Sequence, residues 1–153
     1  MAKHTLYSNI MKVIADQGFN WASNTLIKCA LLHQDNDTGD PWDQADTVWG
    51  DVSGFQVTGA EYTAGGQLLP TESNSTALVT RATQFKSTHN PKWEASTIDA
   101  THAVLYTDHA TPGEKYLISM IDFEGEQSSV DGDFEISWTD AIVFTTTVAE
   151  KTG

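Results

Sequence analysis

The side chains with chemistry to offer are five histidines, one cysteine and 21 aspartates and glutamates, spread over 153 residues. No two of His4, His33, His89, His102 and His109 stand at metal-ligand spacing on a shared face. Serines are plentiful, yet no Gly-x-Ser-x-Gly elbow presents one as a nucleophile. The carboxylate pairs Asp122 with Glu124 and Asp131 with Asp133 fall at predicted turns, where carboxylates cap backbone amides and aid solubility. Cys29 has only Lys28 nearby to favour a thiolate, so it reads as a small apolar core residue. The expectation is a protein that is not an enzyme, with no catalytic residue, no metal ligand and no cofactor.

Two stretches invite a binding role. From His33 to Asp51 the aspartates 35, 37, 40, 43, 46 and 51 are interleaved with Gly39, Pro41, Trp42 and Trp49. Carboxylates at alternate positions suit calcium, but Gly39 stands where an EF-hand ligand belongs and no glutamate closes the loop. A solvated acidic loop is expected. Its two tryptophans must be folded onto the body or offered to a partner, and Trp42 and Trp49 are the candidate interface residues. The second stretch runs from Val57 to Leu69 and contains Tyr62-Thr63-Ala64-Gly65-Gly66-Gln67-Leu68. Gly65-Gly66 demands a tight turn with positive φ. It has neither the Lys and Ser/Thr of a P-loop nor the spacing of a dinucleotide fingerprint.

Charge narrows the partners. The net charge is −13, with eight Lys and Arg in all. Phosphate binding needs clustered cations, so nucleic acid is not expected as a partner, nor is an anionic membrane surface. No apolar run reaches the roughly 20 residues that span a bilayer. Lys3 is not followed by an apolar signal core, so no secretory address is expected. A single cysteine fits folding in a reducing cytoplasm.

The length suits one domain with a real core. Leu6, Ile10, Val13 and Ile14 form one stripe of a helix over about 6–17, capped by Thr5 and closed by Gly18, with Phe19 following. Thr25–Leu32 reads as a strand, and Phe55 and Val57 as a short one. Thr76–Lys86 reads as one bent strand or two joined near Arg81. A four-strand meander occupies 102–148: His102–Tyr106, Tyr116–Phe123, Phe134–Trp138 and Ile142–Val148. The turns between them are Asp108 to Gly113, Glu124-Gly125 to Asp131-Gly132, and Thr139-Asp140. Phe134, Ile136 and Trp138 share one strand face, and Tyr116–Phe123 is apolar on both, as a strand covered above and below must be. Leu105, Leu117, Ile121, Phe134 and Ile136 are the predicted core. The predicted fold is mainly β, an antiparallel, jelly-roll-like β-sandwich with one N-terminal α-helix.

The segment Tyr62–Leu68 resembles a signature of small virion structural proteins of tailed bacteriophages. So does the later order: Trp93 to Thr101, Ala103–Asp108, Leu117–Phe123 and Gly132–Trp138. The opening helix followed by Asn24–Leu32 also resembles the start of that family. The loop 33–51 is longer and richer in tryptophan than the family pattern, and the usual turn between two strands is not evident in Thr76–Lys86. The resemblance implies a non-enzymatic β-sandwich component of the particle, made in the host bacterial cytoplasm and carried on the outer surface of the virion. A capsid decoration, or cement, protein bound to the major capsid protein and to neighbouring copies of itself is the leading expectation. Tail, fibre and neck proteins, including ones that bind a host receptor or glycan, are the alternative. A fibre would call for heptads or internal repeats, and this chain has neither.

Overall fold

Alternating apolar side chains carry most of this chain into strands, and two opposed faces have to be covered. The computed structural model describes residues 3–8, 14–15, 21–22, 26–37, 39–43, 45–109 and 112–147. Its strands are β1 (Lys3–Leu6), β2 (Ile27–Leu32), β3 (Gln67–Leu69), β4 (Asn74–Val79), β5 (Ala82–Ser87), β6 (Lys92–Thr107), β7 (Leu117–Glu135) and β8 (Ile142–Thr147). A one-turn helix, α1 (Trp49–Val52), sits between β2 and β3. All pairings are antiparallel, in a five-stranded sheet ordered β1-β7-β6-β2-β3 and a three-stranded sheet ordered β4-β5-β8. The fold is therefore mainly β and sandwich-like, as expected.

The inner core lies between the sheets. Ile27, Cys29 and Leu31 from β2 meet Ala103 and Leu105 from β6, Ile118 and Ile121 from β7, and Phe85 and Phe144 from the smaller sheet. Phe85 stacks on Phe144 at 4.4 Å, and Trp21 meets both rings edge-on while its indole N–H donates to the Lys86 carbonyl at 2.7 Å. The opposite face of the large sheet carries Ala30, Leu32, Val104, Tyr106, Leu117 and Met120, covered by Val52 and Phe55. The large sheet is thus sealed on both sides, which is why Leu117, Ile118, Met120 and Ile121 are all buried. Leu105, Phe134 and Ile136 are buried too, completing the predicted core.

The second half of the chain departs from a four-strand meander. Residues 117–135 form one 19-residue strand paired along its length with the 16-residue β6. The expected turn residues are present but act as bulges. Glu124, Gly125 and Asp131 in β7 have φ of 57°, 150° and 47°, and Ala95 in β6 has 49°. Register shifts at four places bend this long pair, because an extra residue kinks a strand without reversing it. Ile136 and Trp138, expected inside a strand, follow β7 instead, and Ile136 is held by its amide donating to the Pro91 carbonyl. After that, β8 leaves the large sheet and pairs with β5.

Two further expectations are corrected. Leu6, placed at the start of a helix, ends β1, which pairs Leu6 with Ser119 and Thr5 with Met120 on the edge of β7. Thr5 is therefore a strand residue. Ile14 and Ala15 are helical, but Ile14 is 41% exposed rather than on a buried stripe. The rest of the expected helix, including Ile10, Val13, Gly18 and Phe19, lies outside the described residues. Phe55 sits in a single 3-10 turn, and only Gln56 bridges to Leu32. Of the two readings of Thr76–Lys86, two strands joined near Arg81 is the one found: they form a hairpin turning at Thr80 and Arg81, with Arg81 left-handed at φ 57°. Among the described residues no helix is long and apolar enough to cross a membrane.

Candidate functional site

The stretch after β2 is where the chemistry collects. Leu32 pairs with His102 of β6, so the chain leaves the sheet beside that histidine and folds back over the outer face. His33 donates its amide to the Phe55 carbonyl at 2.8 Å, and the Asn36 side chain donates to Gln56 at 2.9 Å. These bonds close the base of the acidic loop.

Three of the loop's aspartates accept backbone amides. Asp40 accepts the Trp42 amide at 2.9 Å and Asp43 the Ala45 amide at 2.8 Å, the local bonding that favours Asp in turns. Asp51 accepts the amides of Thr47 and Val48, at 2.9 and 3.1 Å, and those bonds hold its carboxyl below the usual range. Burial, with Asp43 and Asp51 nearby, pushes the Asp46 carboxyl up to about 6. Among the described residues no three His, Cys, Asp or Glu side chains form a group able to hold a metal ion.

The two tryptophans are folded onto the body. Trp42 tilts against Tyr7 with ring centroids 4.7 Å apart, and Trp49 stacks on Tyr106 at 4.5 Å. Both are half-buried, so each keeps part of its surface at the outer face. Backbone bonds anchor their segment: the Trp49 amide donates to Lys115 at 2.8 Å and the Leu117 amide to Thr47 at 3.0 Å. Beneath them the Tyr7 hydroxyl is buried without a hydrogen-bond partner, and burial together with Asp46, Asp40 and Asp51 raises its pKa.

Sequence reasoning missed a polar cluster on the same face. The pairing of β2 with β6 brings His33 and His102 to one cavity with Asp35, Asp40, Asp122 and Glu126. The Asp35 amide donates to His33 Nδ1 at 3.0 Å, so the ring proton sits on Nε2, which donates to Glu126 at 2.6 Å. His102 Nδ1 lies 2.8 Å from the Thr101 hydroxyl, which accepts the Gln34 amide at 3.0 Å. Burial lowers the His102 pKa against the pull of Asp122 and Asp40. His33 and Glu126 are 93 residues apart, and no local spacing announces them.

The other candidates have structural uses. His89 offers its carbonyl to the Trp138 indole at 2.8 Å, and His109 lies 3.2 Å from Glu114. Asp122 accepts the Glu124 amide at 2.8 Å, capping the bulge. Asp133 is 3.2 Å from Lys92, which holds its carboxyl below the usual range. Cys29 is fully buried, and burial pushes its thiol up to about 12. The Tyr62–Leu68 segment is a clamp: the Leu31 amide donates to the Tyr62 hydroxyl at 3.1 Å, and Gly66 has φ +84°. A side chain at Gly66 would strike the Cys29 carbonyl, so only glycine lets this turn lie on β2. Comparison with protein-family models, curated proteins and solved structures found no match.

Proposed function

We propose that the protein is a non-enzymatic structural component of a tailed-phage virion, a decoration protein that binds the major capsid protein on the outer shell. The observation that carries this reading is the pair of half-buried tryptophans on an acidic outer face. An aromatic held in place by the sheet loses little freedom on binding, and such residues dominate interface energies. The resemblance of Tyr62–Leu68 and of the segments after Trp93 to small virion proteins supports the same reading. Acidity is compatible with the outside of a shell, because packaged DNA lies on the other side. Neighbouring copies of the chain would meet there, and neither nucleic acid nor membrane is a partner.

The test is copy number and capsid binding. Purified virions contain hundreds of copies, and wild-type protein saturates expanded capsids that lack it. Trp42→Ala with Trp49→Ala weakens that binding by roughly thirtyfold or more, the cost of losing a central aromatic anchor. About a dozen copies, with co-purification in tails, would assign the protein to the tail, fibre or neck.

A further inference from the structure

We propose that the cavity between Asp40 and Asp122 is a socket for one arginine side chain of a partner protein; the partner's identity, though not the socket, rests on the role proposed above. The cavity has a volume of about 360 Å³ and is lined by His33, Asp35, Asp40, His102, Asp122 and Glu126. At its base the His102 side chain is only 5% exposed. Its Nδ1 is tied to Thr101, which leaves Nε2 facing the two carboxylates, 3.8 Å from Asp40 and 3.7 Å from Asp122. Both distances exceed a hydrogen bond, so two oxygens flank a point that neither closes on.

A guanidinium suits that arrangement. It is planar, carries five N–H donors in a fixed fork, and engages carboxylates on more than one edge. Asp40 and Asp122 are reachable from solvent, with side chains 69% and 45% exposed. His33 directs its Nε2–H at Glu126, and burial disfavours a charge on His102. The socket is also continuous with the aromatic face, because the Asp40 oxygen nearest His102 is the one that accepts the Trp42 amide. A partner surface laid over Trp42 would exclude water from the ion pair, where charge-assisted bonds strengthen.

The experiment is an NMR titration with N-acetyl-arginine amide, with N-acetyl-glutamine amide as the uncharged control. The arginine probe shifts the His102 ring nitrogens and the Gln34 and Asp40 amides saturably, with a dissociation constant of roughly millimolar order. Asp40→Asn with Asp122→Asn weakens it about tenfold or more. Asp40→Asn alone, on an exposed side chain, weakens it about threefold and serves if the double variant does not fold. Equal shifts with the glutamine probe, no saturable shift, or unchanged binding in the folded aspartate variants overturns the socket. Capsids that ignore the wild-type protein while the arginine probe still seats would overturn the particle role and leave the socket standing.

Discussion

Trp49 lies flat on Tyr106, with ring centroids 4.5 Å apart and planes 11° from parallel. The hydroxyl of Tyr106 donates to the Gly65 carbonyl at 2.6 Å, so one residue of β6 joins the acidic loop to the glycine turn. Trp49→Ala removes the stack and part of the cover over the outer face. The expected loss is about 1–3 kcal/mol, below the 3–5 of a fully buried aromatic because Trp49 is only partly buried. Urea denaturation measures it, and an unchanged midpoint would show that the indole contributes nothing to the fold.

Ile136 is buried in the inner core just beyond β7. Ile136→Ala should cost roughly 2–5 kcal/mol, the range for truncating a buried aliphatic side chain. A change within about 0.5 kcal/mol would place that side chain outside the core.

Calcium should bind no more tightly than about millimolar, the weak end for oxygen sites with an incomplete ligand set. Asp40, Asp43 and Asp51 already accept backbone amides, so a cation would have to compete with the bonds that shape the loop. Calorimetric titration decides this, and submicromolar affinity would contradict the geometry.

The fold should lose stability as pH falls below 6.5. Burial lowers the pKa of His102 and of His4 from 6.5, so the unfolded chain binds more protons there. That contribution is present above 6.5 and lost as pH falls through it toward the lower folded values. Asp46 acts oppositely: raised from 3.8 to about 6, it stabilises below 3.8 and loses that contribution as pH rises through about 6. His102→Gln should flatten the acid limb of a stability–pH curve, and Asp46→Asn should steepen it. Identical curves for wild type and both variants would remove these groups as the cause.

Several features were legible because their causes are local. Phe134, Ile136 and Trp138 alternate with Glu135 and Ser137, and all three apolar side chains are buried while the two polar ones are exposed. Gly65 and Gly66 both take positive φ, as a turn pressed against β2 requires. The doubly apolar stretch from Leu117 to Ile121 marked a strand covered on both faces, and Cys29 marked a core position.

Other features depend on which strand lies opposite. Glu124-Gly125 and Asp131-Gly132 have the residues of a reversal, yet β6 runs alongside and turns them into bulges. Leu6 belongs to a helical stripe by spacing and to β1 by pairing, because an open edge of β7 offers backbone bonds a short helix cannot match. Trp42 and Trp49 were equally consistent with cover or display until Tyr7 and Tyr106 were placed beneath them. His33, His102 and Glu126 became one cluster only through the β2–β6 and β6–β7 registers. A strand's alternation is written in its own residues, whereas register is set by the packing of the whole sheet, so composition and local spacing determined the core and tertiary pairing decided the site.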